Sequence, residues 1–418
     1  MANEEKAIGS RVENELAFEE VLSRVFPLPA DAKQLQKIVD EHLNHQDKLY
    51  FQVTSPFVYM QLLSYAKMKD KPASEFHTSQ RELLFMVPVE CYERIEDEIH
   101  DDEDDGFPVY QFNGHSFRLS QSRKASVTPF IFVDNELSVV TGREEFGWSK
   151  GLMEIVQTDS GWVDTVQTKN LMVAIDVRGI RDSKVNRPRG IRLLEINRSP
   201  GFRLNLSGEL LMKQIQDRLD ELTLILDIQS SLASYFLDTW KGLLGLGLNK
   251  HPTRTSTSRV KHYLGSLVQD MRRYMGNTIG AKEFLDSGNP DNVAYFSIIR
   301  AKAKIVRIPE YGFLGSIEAI LTTLSGGFSI KISALESHPV VERLGLKFSE
   351  IEKGVDGAPD QYVMAPVFPF WLKADVEYKG NTVIYESLYG DDVSGKINHE
   401  DRPEYMEEYN SVNWEQNS

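Results

Sequence analysis

Residues 133–151 have the sequence VDNELSVVTGREEFGWSKG, in which Lys150 is the single lysine. Residues 131–141 (IFVDNELSVVT) alternate apolar and polar side chains, and this period of two predicts a β-strand. Lys150 follows in a predicted turn that is crowded by apolar groups. The flanking side chains are Phe146, Trp148, Leu152 and Met153. Lys150 is therefore a candidate for chemistry that depends on an amine shielded from water.

An ordinary lysine amine has a pKa of about 10.4, so at neutral pH it is almost fully protonated and is a poor nucleophile. Removal from water or a nearby positive charge favours the neutral amine, which attacks a ketone to form a Schiff base. The apolar neighbours of Lys150 supply the first factor, and Gly147 and Gly151 leave room for a small ligand. The alternative interpretation is an exposed lysine in a turn.

Composition limits the classes of function. The chain has 418 residues and a formal net charge of -15. Binding to nucleic acid requires a basic surface, so we expect no nucleic-acid partner, and we expect no membrane partner either. The single cysteine, Cys91, excludes an intrachain disulfide, and no apolar segment has the length of a signal sequence or a membrane-spanning helix. These features predict a cytoplasmic protein.

Two parts of the chain have helical periodicity. Residues 1–45 are predicted to be an N-terminal helical segment, because residues 18–26 (FEEVLSRVF) and 32–43 (AKQLQKIVDEHL) carry apolar side chains three and four positions apart. Residues 205–290 repeat this spacing and are predicted to be a helical insertion. The insertion would either make oligomer contacts or cover the site, and the sequence favours neither role.

The remaining segments are predicted to be strands. Residues 46–204 and 291–390 contain β-branched and aromatic segments separated by turn residues, which predicts an antiparallel β core without βαβ units. Residues 95–106 are an acidic run, interpreted as a surface loop rather than a cation site because the spacing of a calcium loop is missing. Residues 391–418 are predicted to be a frayed acidic tail. The fold class predicted is α+β, mainly antiparallel β.

The stretch 133–151 resembles the signature of the acetoacetate decarboxylase family. In that family a strand and a DN turn precede GRE, an aromatic residue and a lysine. The GRE matches at residues 142–144, the aromatic residue at Trp148, and the Schiff-base lysine at Lys150. The resemblance extends, more weakly, over residues 46–204 and 290–388. It implies a β-barrel or curved-sheet core with a helical insertion.

A second match to the family concerns a carboxylate. The family places a glutamate six residues before a Pro-Val pair, and here Glu82 precedes Pro88 and Val89 with that spacing. The resemblance implies that Glu82 is an active-site group that donates a proton or positions the substrate. Further candidates for substrate binding are the wall residues Phe130, Phe132 and Trp148, together with Arg143.

The chain departs from the family pattern at several positions. The family's decarboxylases usually have a second lysine directly after the first, and here that residue is Gly151. The family also uses an arginine near the N-terminus, for which Arg24 and Arg11 are candidates, and Arg24 is taken as a substrate-binding residue. The acidic loop and the helical block are larger than in the short decarboxylases. These departures leave room for a changed substrate or a lost activity.

The resemblance implies a lyase that decarboxylates a small β-keto acid such as acetoacetate through a Schiff base on Lys150. It implies no cofactor and no metal, because the iminium accepts the electrons, and it implies a homo-oligomer. One alternative is aldolase- or dehydratase-type chemistry of the same amine on an α-keto acid such as pyruvate. Another is a non-catalytic protein that binds a small molecule or acts in assembly.

Overall fold

Strands form most of the chain that the structure describes. The computed structural model describes residues 16–70, 78–95, 109–112, 114–158, 171–177, 190–198, 264–265, 268–269, 271–285, 293–315 and 325–388. Residues 199–263 of the predicted core and insertion, the acidic run after Ile95 and the predicted tail 391–418 lie outside these residues. None of the described helices is long and apolar enough to span a membrane.

The elements follow one another in this order. The strands are β1 (Leu16–Pro29), β2 (Leu49–Val53), β3 (Phe57–Asp70), β4 (Thr78–Arg94), β5 (Val109–Phe112), β6 (His115–Val133), β7 (Lys150–Thr158), β8 (Leu171–Val177), β9 (Ile191–Arg198), β10 (Asn277–Leu285), β11 (Val293–Phe313), β12 (Phe328–Ser333), β13 (Glu350–Glu352), β14 (Gln361–Met364) and β15 (Phe370–Leu388). The helices with both ends in the described residues are α1 (Ala32–His42), α2 (Glu136–Phe146) and α3 (Val340–Leu344), and residues 271–275 are also helical.

The described strands join in one large mixed sheet. Its order is β13-β14-β12-β9-β8-β7-β6-β10-β11-β15-β1-β3-β4-β2, with β5 beside β6 and a further pairing of β6 with β4. Most neighbours are antiparallel, but β6 is parallel to both β7 and β10. The prediction of a strand-rich fold with few helices is confirmed at this level. The prediction of a mainly antiparallel core agrees with most of the pairings, whereas the prediction that the core has no βαβ unit is wrong, because α2 connects the parallel strands β6 and β7.

Side chains of successive strand residues point to opposite faces of a sheet. The buried apolar residues accordingly form two large clusters. The first, called the amine-face cluster below, includes Val25, Leu63, Leu84, Ile131, Trp148 and Phe370. The second, called the opposite-face cluster, includes Phe26, Leu62, Leu83, Phe85, Phe132 and Met153.

The N-terminal part is only partly helical. Helix α1 confirms the helix predicted within residues 32–43, and Asp31 caps it by accepting a hydrogen bond from the Gln34 backbone N–H at 3.0 Å. Residues 18–26, predicted to be helical, belong instead to β1. This strand pairs with β3 on one side and β15 on the other, so long-range pairing outweighs the local helical periodicity.

Two further predictions are corrected at element boundaries. The strand predicted over residues 131–141 ends at Val133, and α2 begins at Glu136 after the cap residue Asn135, whose side chain accepts from the Ser138 N–H. The strand was predicted too long because Asn135, the residue that caps α2, was taken as one of the polar residues of the alternation. The predicted insertion 205–290 includes β10, which pairs with β11 and β6 and is therefore part of the sheet.

Candidate active site

Lys150 is the first residue of β7, rather than part of a turn, and only 5% of the residue is exposed. The connection from α2 is short and tightly bonded. Gly147 ends α2 with a φ of 65°, a left-handed conformation that glycine adopts without steric cost. The Trp148 N–H then donates to the Gly142 carbonyl at 3.0 Å, and the Lys150 N–H donates to the Trp148 carbonyl at 2.7 Å. These bonds fix where the lysine side chain starts.

Strand register brings a carboxylate to the same face as this lysine. One row of paired residues crosses the sheet through Phe370, Val25, Gln61, Leu84, Ile131 and Lys150. The next row on this face contains Leu372, Ser23, Leu63, Glu82, Val133 and Leu152. Paired residues of neighbouring strands share a face, so Glu82 and Lys150 project from the same side of the sheet in adjacent rows.

The Lys150 amine has three polar or aromatic contacts. Nζ lies 3.3 Å from Glu82 Oε2 and 3.0 Å from Ser138 Oγ, and it lies 5.2 Å from the centroid of the Trp148 ring. Glu82 is only 4% exposed. In such a buried pair, transfer of one proton from Nζ to Oε2 converts an ammonium–carboxylate pair into a neutral amine and a carboxylic acid. The arrangement can therefore supply both a nucleophile and a proton.

Glu82 is itself held by polar neighbours. Gln80 Nε2 donates to Glu82 Oε2 at 2.9 Å, and Tyr65 is hydrogen-bonded to Glu82. Burial, followed by the negative charge of Glu82, raises the pKa of Tyr65 well above its usual value, and the same two causes raise the pKa of Tyr378. Both phenols are consequently neutral at neutral pH. Each keeps a hydroxyl proton that it can donate near the carboxylate.

Gly142 makes room for the stem of Lys150. A Cβ placed on Gly142 would lie 2.5 Å from Lys150 Cδ and 2.8 Å from Cε, so the lysine stem lies directly against the backbone of α2. The neighbouring residue of the same helix, Arg143, donates from Nε to the Lys150 carbonyl oxygen at 2.9 Å. Arg143 thus contacts the backbone of Lys150 and helps to position this residue. The prediction that Arg143 contacts the substrate is corrected accordingly.

The predicted site residues fall on both faces of the sheet. Phe132 pairs with Leu83 and Gly151, and it belongs to the opposite-face cluster, against which Phe130 also packs. The prediction that Phe130 and Phe132 wall the amine is therefore corrected, because residue 131, between them, is the one that faces Lys150. Trp148 does lie beside the amine.

Arg24 also lies on the opposite face. It pairs with Leu62 and Trp371, in the row that continues through Leu83 to Phe132 and Gly151. With 2% of the residue exposed, its guanidinium is buried away from Lys150, which corrects its predicted role in binding the substrate carboxylate. Arg11, the other candidate, lies outside the described residues.

Packing explains why residue 151 is a glycine. A Cβ at this position would lie 2.9 Å from Cδ1 of Phe132, on the face opposite to Lys150. A second lysine directly after the first would therefore project into the opposite-face cluster. Residue 151 therefore places no second amine beside Nζ.

Several site residues were missed in the sequence. Ser138, Gln80, Tyr65 and Tyr378 all lie around the amine–carboxylate pair, and they come from α2, β4, β3 and β15. Gln80 carried a detectable signal, because it stands two positions before Glu82 in a strand and so shares its face. The others are brought in by pairing between distant strands or by the start of α2, for which the local sequence held no signal.

Other features of the described chain do not join this site. A groove of about 740 Å³ lies among α1, α3, β13 and β14, and its lining includes Lys33, Lys37 and Lys347 but none of the residues around Lys150. Burial raises the pKa of the Cys91 thiol to about 12, so this cysteine is not a nucleophile at neutral pH. Within the described ranges, no group of three or more His, Cys, Asp or Glu side chains is placed to hold a metal ion.

Comparison with known proteins gives matches among solved structures. No family model matches the chain, and no curated protein matches it. The chain is similar to acetoacetate decarboxylase from Legionella pneumophila subsp. pneumophila str. Philadelphia 1, at 9% identity over 89% of this chain and 87% of that chain, with a TM-score of 0.43.

Two further structures show the same kind of similarity. A second acetoacetate decarboxylase structure is 11% identical over 89% of this chain and 90% of that chain, with a TM-score of 0.43. The enduracididine biosynthesis enzyme MppR, complexed with the condensation product of pyruvate and imidazole 4-carboxaldehyde, is 9% identical over 88% of each chain, with a TM-score of 0.35. The structural neighbours are therefore acetoacetate decarboxylases and acetoacetate decarboxylase-like enzymes, matched over most of both chains.

Proposed function

We propose that this chain is a Schiff-base-forming lyase that decarboxylates a small β-keto acid such as acetoacetate. The observation that carries the proposal is the buried contact of 3.3 Å between Lys150 Nζ and Glu82 Oε2. A buried ion pair contributes little to stability, because desolvation of both charges offsets their attraction. A functional role explains the pair better than a structural one, since an activated amine next to a proton acceptor is what imine formation requires.

The first step is formation of the imine. Glu82 accepts a proton from the Lys150 ammonium, and the neutral amine attacks the ketone carbon of the substrate. The carbinolamine that results loses water as its oxygen is protonated, with Glu82 as the proton donor. The product is a protonated imine, whose C=N carbon is bonded directly to the carbon that carries the carboxylate, so the nitrogen can accept an electron pair from that carbon.

The second step is loss of carbon dioxide. The bond between the carboxylate and the adjacent carbon breaks, its electron pair moves to the iminium nitrogen, and a neutral enamine is left. A proton taken up from solvent, delivered by water directly or through Glu82, then adds to the enamine carbon and restores an iminium. Water hydrolyses this iminium to the ketone and the free amine, so the net reaction converts a β-keto acid into a ketone and carbon dioxide.

The surroundings of the pair fit these steps. Ser138 Oγ lies 3.0 Å from Nζ, so it can hydrogen-bond to the oxygen of the carbinolamine that forms on Nζ. Gln80 keeps Glu82 Oε2 directed toward the amine. The Trp148 ring shields one side of Nζ from water, which strengthens the electrostatic interactions inside the site.

Turnover of a substrate panel tests this proposal. Acetoacetate and longer β-keto acids are supplied to the wild type and to Lys150→Met, which keeps an unbranched side chain of similar length without the amine. Lys124→Met is the matched control, because Lys124 Nζ also lies 5.2 Å from an aromatic ring, that of Tyr274, outside the site. We expect carbon dioxide release from the wild type and Lys124→Met only. Full release by Lys150→Met would refute the proposal.

A second reaction of the same amine has one observation in its favour. Gly151 packs against Phe132 where the decarboxylase pattern has a second lysine, so this site lacks the adjacent cation of that pattern. Imine formation followed by condensation or dehydration of an α-keto acid needs only the Lys150 amine. Pyruvate supplied with an aldehyde should then give a conjugated product that depends on Lys150, without release of carbon dioxide from β-keto acids. If neither reaction occurs, the chain is a binding or assembly protein.

A further inference from the structure

Trp148 carries a buried donor without a partner. Only 8% of the residue is exposed, and within the part of the chain that the structure describes its Nε1 has no hydrogen-bond acceptor. Buried N–H groups are almost always bonded, because an unpaired one destabilises the folded state. A donor left open at this position has a simple explanation if a ligand supplies the acceptor.

The indole is held rigidly in the site. Its ring stacks on Phe146 with centroids 4.4 Å apart and an angle of 13° between planes, and it meets the edge of Tyr378 at 6.4 Å. The ring centroid lies 5.2 Å from Lys150 Nζ, so the indole that carries Nε1 lies beside the amine. A donor fixed in this way is preorganised for whatever becomes attached to the amine.

In the imine of a β-keto acid, two carbons separate the nitrogen from the carboxylate carbon. The carboxylate oxygens therefore lie a few ångströms from Nζ, and the indole ring, with its centroid 5.2 Å from Nζ, is close enough to lie beside them. We infer that the Trp148 N–H donates a hydrogen bond to the carboxylate of the keto acid held on Lys150. This inference rests on the proposed function and adds the group that selects acids over neutral ketones.

The other unpartnered atom beside the pair cannot take this role. Gln80 Oε1 is buried and without a donor in the described structure, but it is an acceptor, as carboxylate oxygens are. Two acceptors repel each other. Of the two open polar atoms next to Lys150 and Glu82, only the indole N–H can bond to a carboxylate.

A neutral donor also suits loss of carbon dioxide. The carboxylate has its full charge before the bond breaks and loses it as carbon dioxide departs. A cation would stabilise the starting state more than the transition state and would slow the chemical step, since only interactions stronger in the transition state accelerate it. An indole N–H is a neutral donor, so it orients the carboxylate while stabilising the carboxylate charge less than a cation would.

The test compares an acid with its neutral counterpart. Borohydride trapping on Lys150 is measured against the concentration of acetoacetate and of acetone, in the wild type and in Trp148→Phe, which keeps an aromatic ring without the N–H. We expect the half-saturating concentration to rise about tenfold more for acetoacetate than for acetone, as for loss of one hydrogen bond to a charged group. Equal changes for the two ligands would overturn the inference.

Two further measurements keep the outcomes distinct. Phe146→Leu loosens the ring without removing the N–H, so it should weaken both ligands together. In wild-type protein labelled at its five tryptophans, the indole N–H signal that is absent from Trp148→Phe should shift with levulinate, a keto acid that cannot lose carbon dioxide by this route, and not with 2-pentanone. A signal unmoved by levulinate would contradict the inference. Failure of all ligands to trap on wild-type Lys150 would instead refute the proposed function.

Discussion

Gly142 leaves room for the side chain of Lys150: a Cβ on residue 142 would lie 2.5 Å from Lys150 Cδ, closer than two such atoms can approach. The glycine of the GRE stretch is thus required by the position of the amine eight residues later. Because Nζ is held at the same time by Glu82 and Ser138, the stem cannot move aside without breaking a contact of the amine.

Gly142→Ala should displace the amine. We expect a loss of about 1–3 kcal/mol in the free energy of unfolding from overpacking, and about a hundredfold loss of turnover from misplacement of the nucleophile. Denaturant unfolding and β-keto acid decarboxylation measure the two effects. Gly265→Ala is the control, because its Cβ would meet only Tyr311 Oη at 3.7 Å, an ordinary contact. A fully active Gly142→Ala protein would contradict the described packing.

Ser138→Ala removes a hydrogen-bond partner of the amine. A bond of this kind contributes about 1.4 kcal/mol, which corresponds to about tenfold slower borohydride trapping on Lys150. The cap of α2 should be kept, because it uses the Ser138 backbone N–H. Thr141→Ala on the same helix is the matched control, since Thr141 Oγ1 bonds only to its own helix at the Leu137 carbonyl. Equal rates in both variants would exclude a role for the Ser138 hydroxyl.

Glu82→Gln removes the proton acceptor at nearly constant shape. Loss of a general acid–base group lowers turnover by about a hundredfold or more, so we expect that decrease in carbon dioxide release. The charge of Glu82 also raises the pKa of Tyr65 and of Tyr378, and removing it should lower both values. An alkaline titration of phenolate absorbance measures this. Glu90→Gln, on the same strand, serves as the control, and unchanged turnover in Glu82→Gln would argue against the mechanism.

Tyr378 should make the protein sensitive to alkaline pH. Burial and Glu82 raise its folded-state pKa above the ordinary value of 10.0, so above about pH 10 the unfolded chain loses a proton that the folded chain retains. This contribution to stability is complete below that pH and is lost as pH rises toward the folded-state pKa. Urea unfolding at increasing pH should show a shallower decline for Tyr378→Phe than for the wild type. The exposed Tyr311→Phe should follow the wild type, and identical slopes for all proteins would refute the assignment.

Arg24→Met separates stability from activity. The guanidinium is buried on the face opposite to Lys150, so its loss leaves former partners unsatisfied and should lower the free energy of unfolding by about 1–3 kcal/mol. The half-saturating concentration of acetoacetate in trapping should stay within about twofold of wild type, a difference below 0.5 kcal/mol. If the half-saturating concentration rose for acetoacetate but not for acetone, Arg24 would bind the substrate carboxylate after all.

Local sequence predicted which two charged residues meet at the candidate site better than it predicted the folding around them, and the chemistry of these residues stays a prediction. The stretch 133–151 singled out Lys150, and the resemblance to the family pattern singled out Glu82, because both patterns are local features of the chain. The structure places the two side chains 3.3 Å apart through the register of β4, β6 and β7, which no local pattern encodes. Register depends on pairing between segments distant in sequence.

The errors have the same origin. Phe130 and Phe132 were predicted to wall the site, yet a single step along β6 decides that Ile131 faces the amine and they do not. Residues 18–26 have a helical spacing of apolar groups, but as β1 they pair with β3 and β15, and both faces of the strand are buried, with Val25 in the amine-face cluster and Phe26 in the opposite-face cluster. Ser138 was missed because residues 131–141 were taken as one strand, whereas the Asn135 cap starts a helix.

The most direct test of the central claim is borohydride trapping of folded wild-type protein with acetoacetate, pyruvate and related keto acids, followed by intact mass and peptide mapping. The account predicts one covalent adduct per chain, on Lys150, and none on the Lys150→Met variant, while Lys124 and the exposed lysines stay unmodified. The keto acid that traps at the lowest concentration would identify the substrate class. Absence of any adduct on Lys150 in correctly folded protein would contradict the claim that this buried amine is a nucleophile.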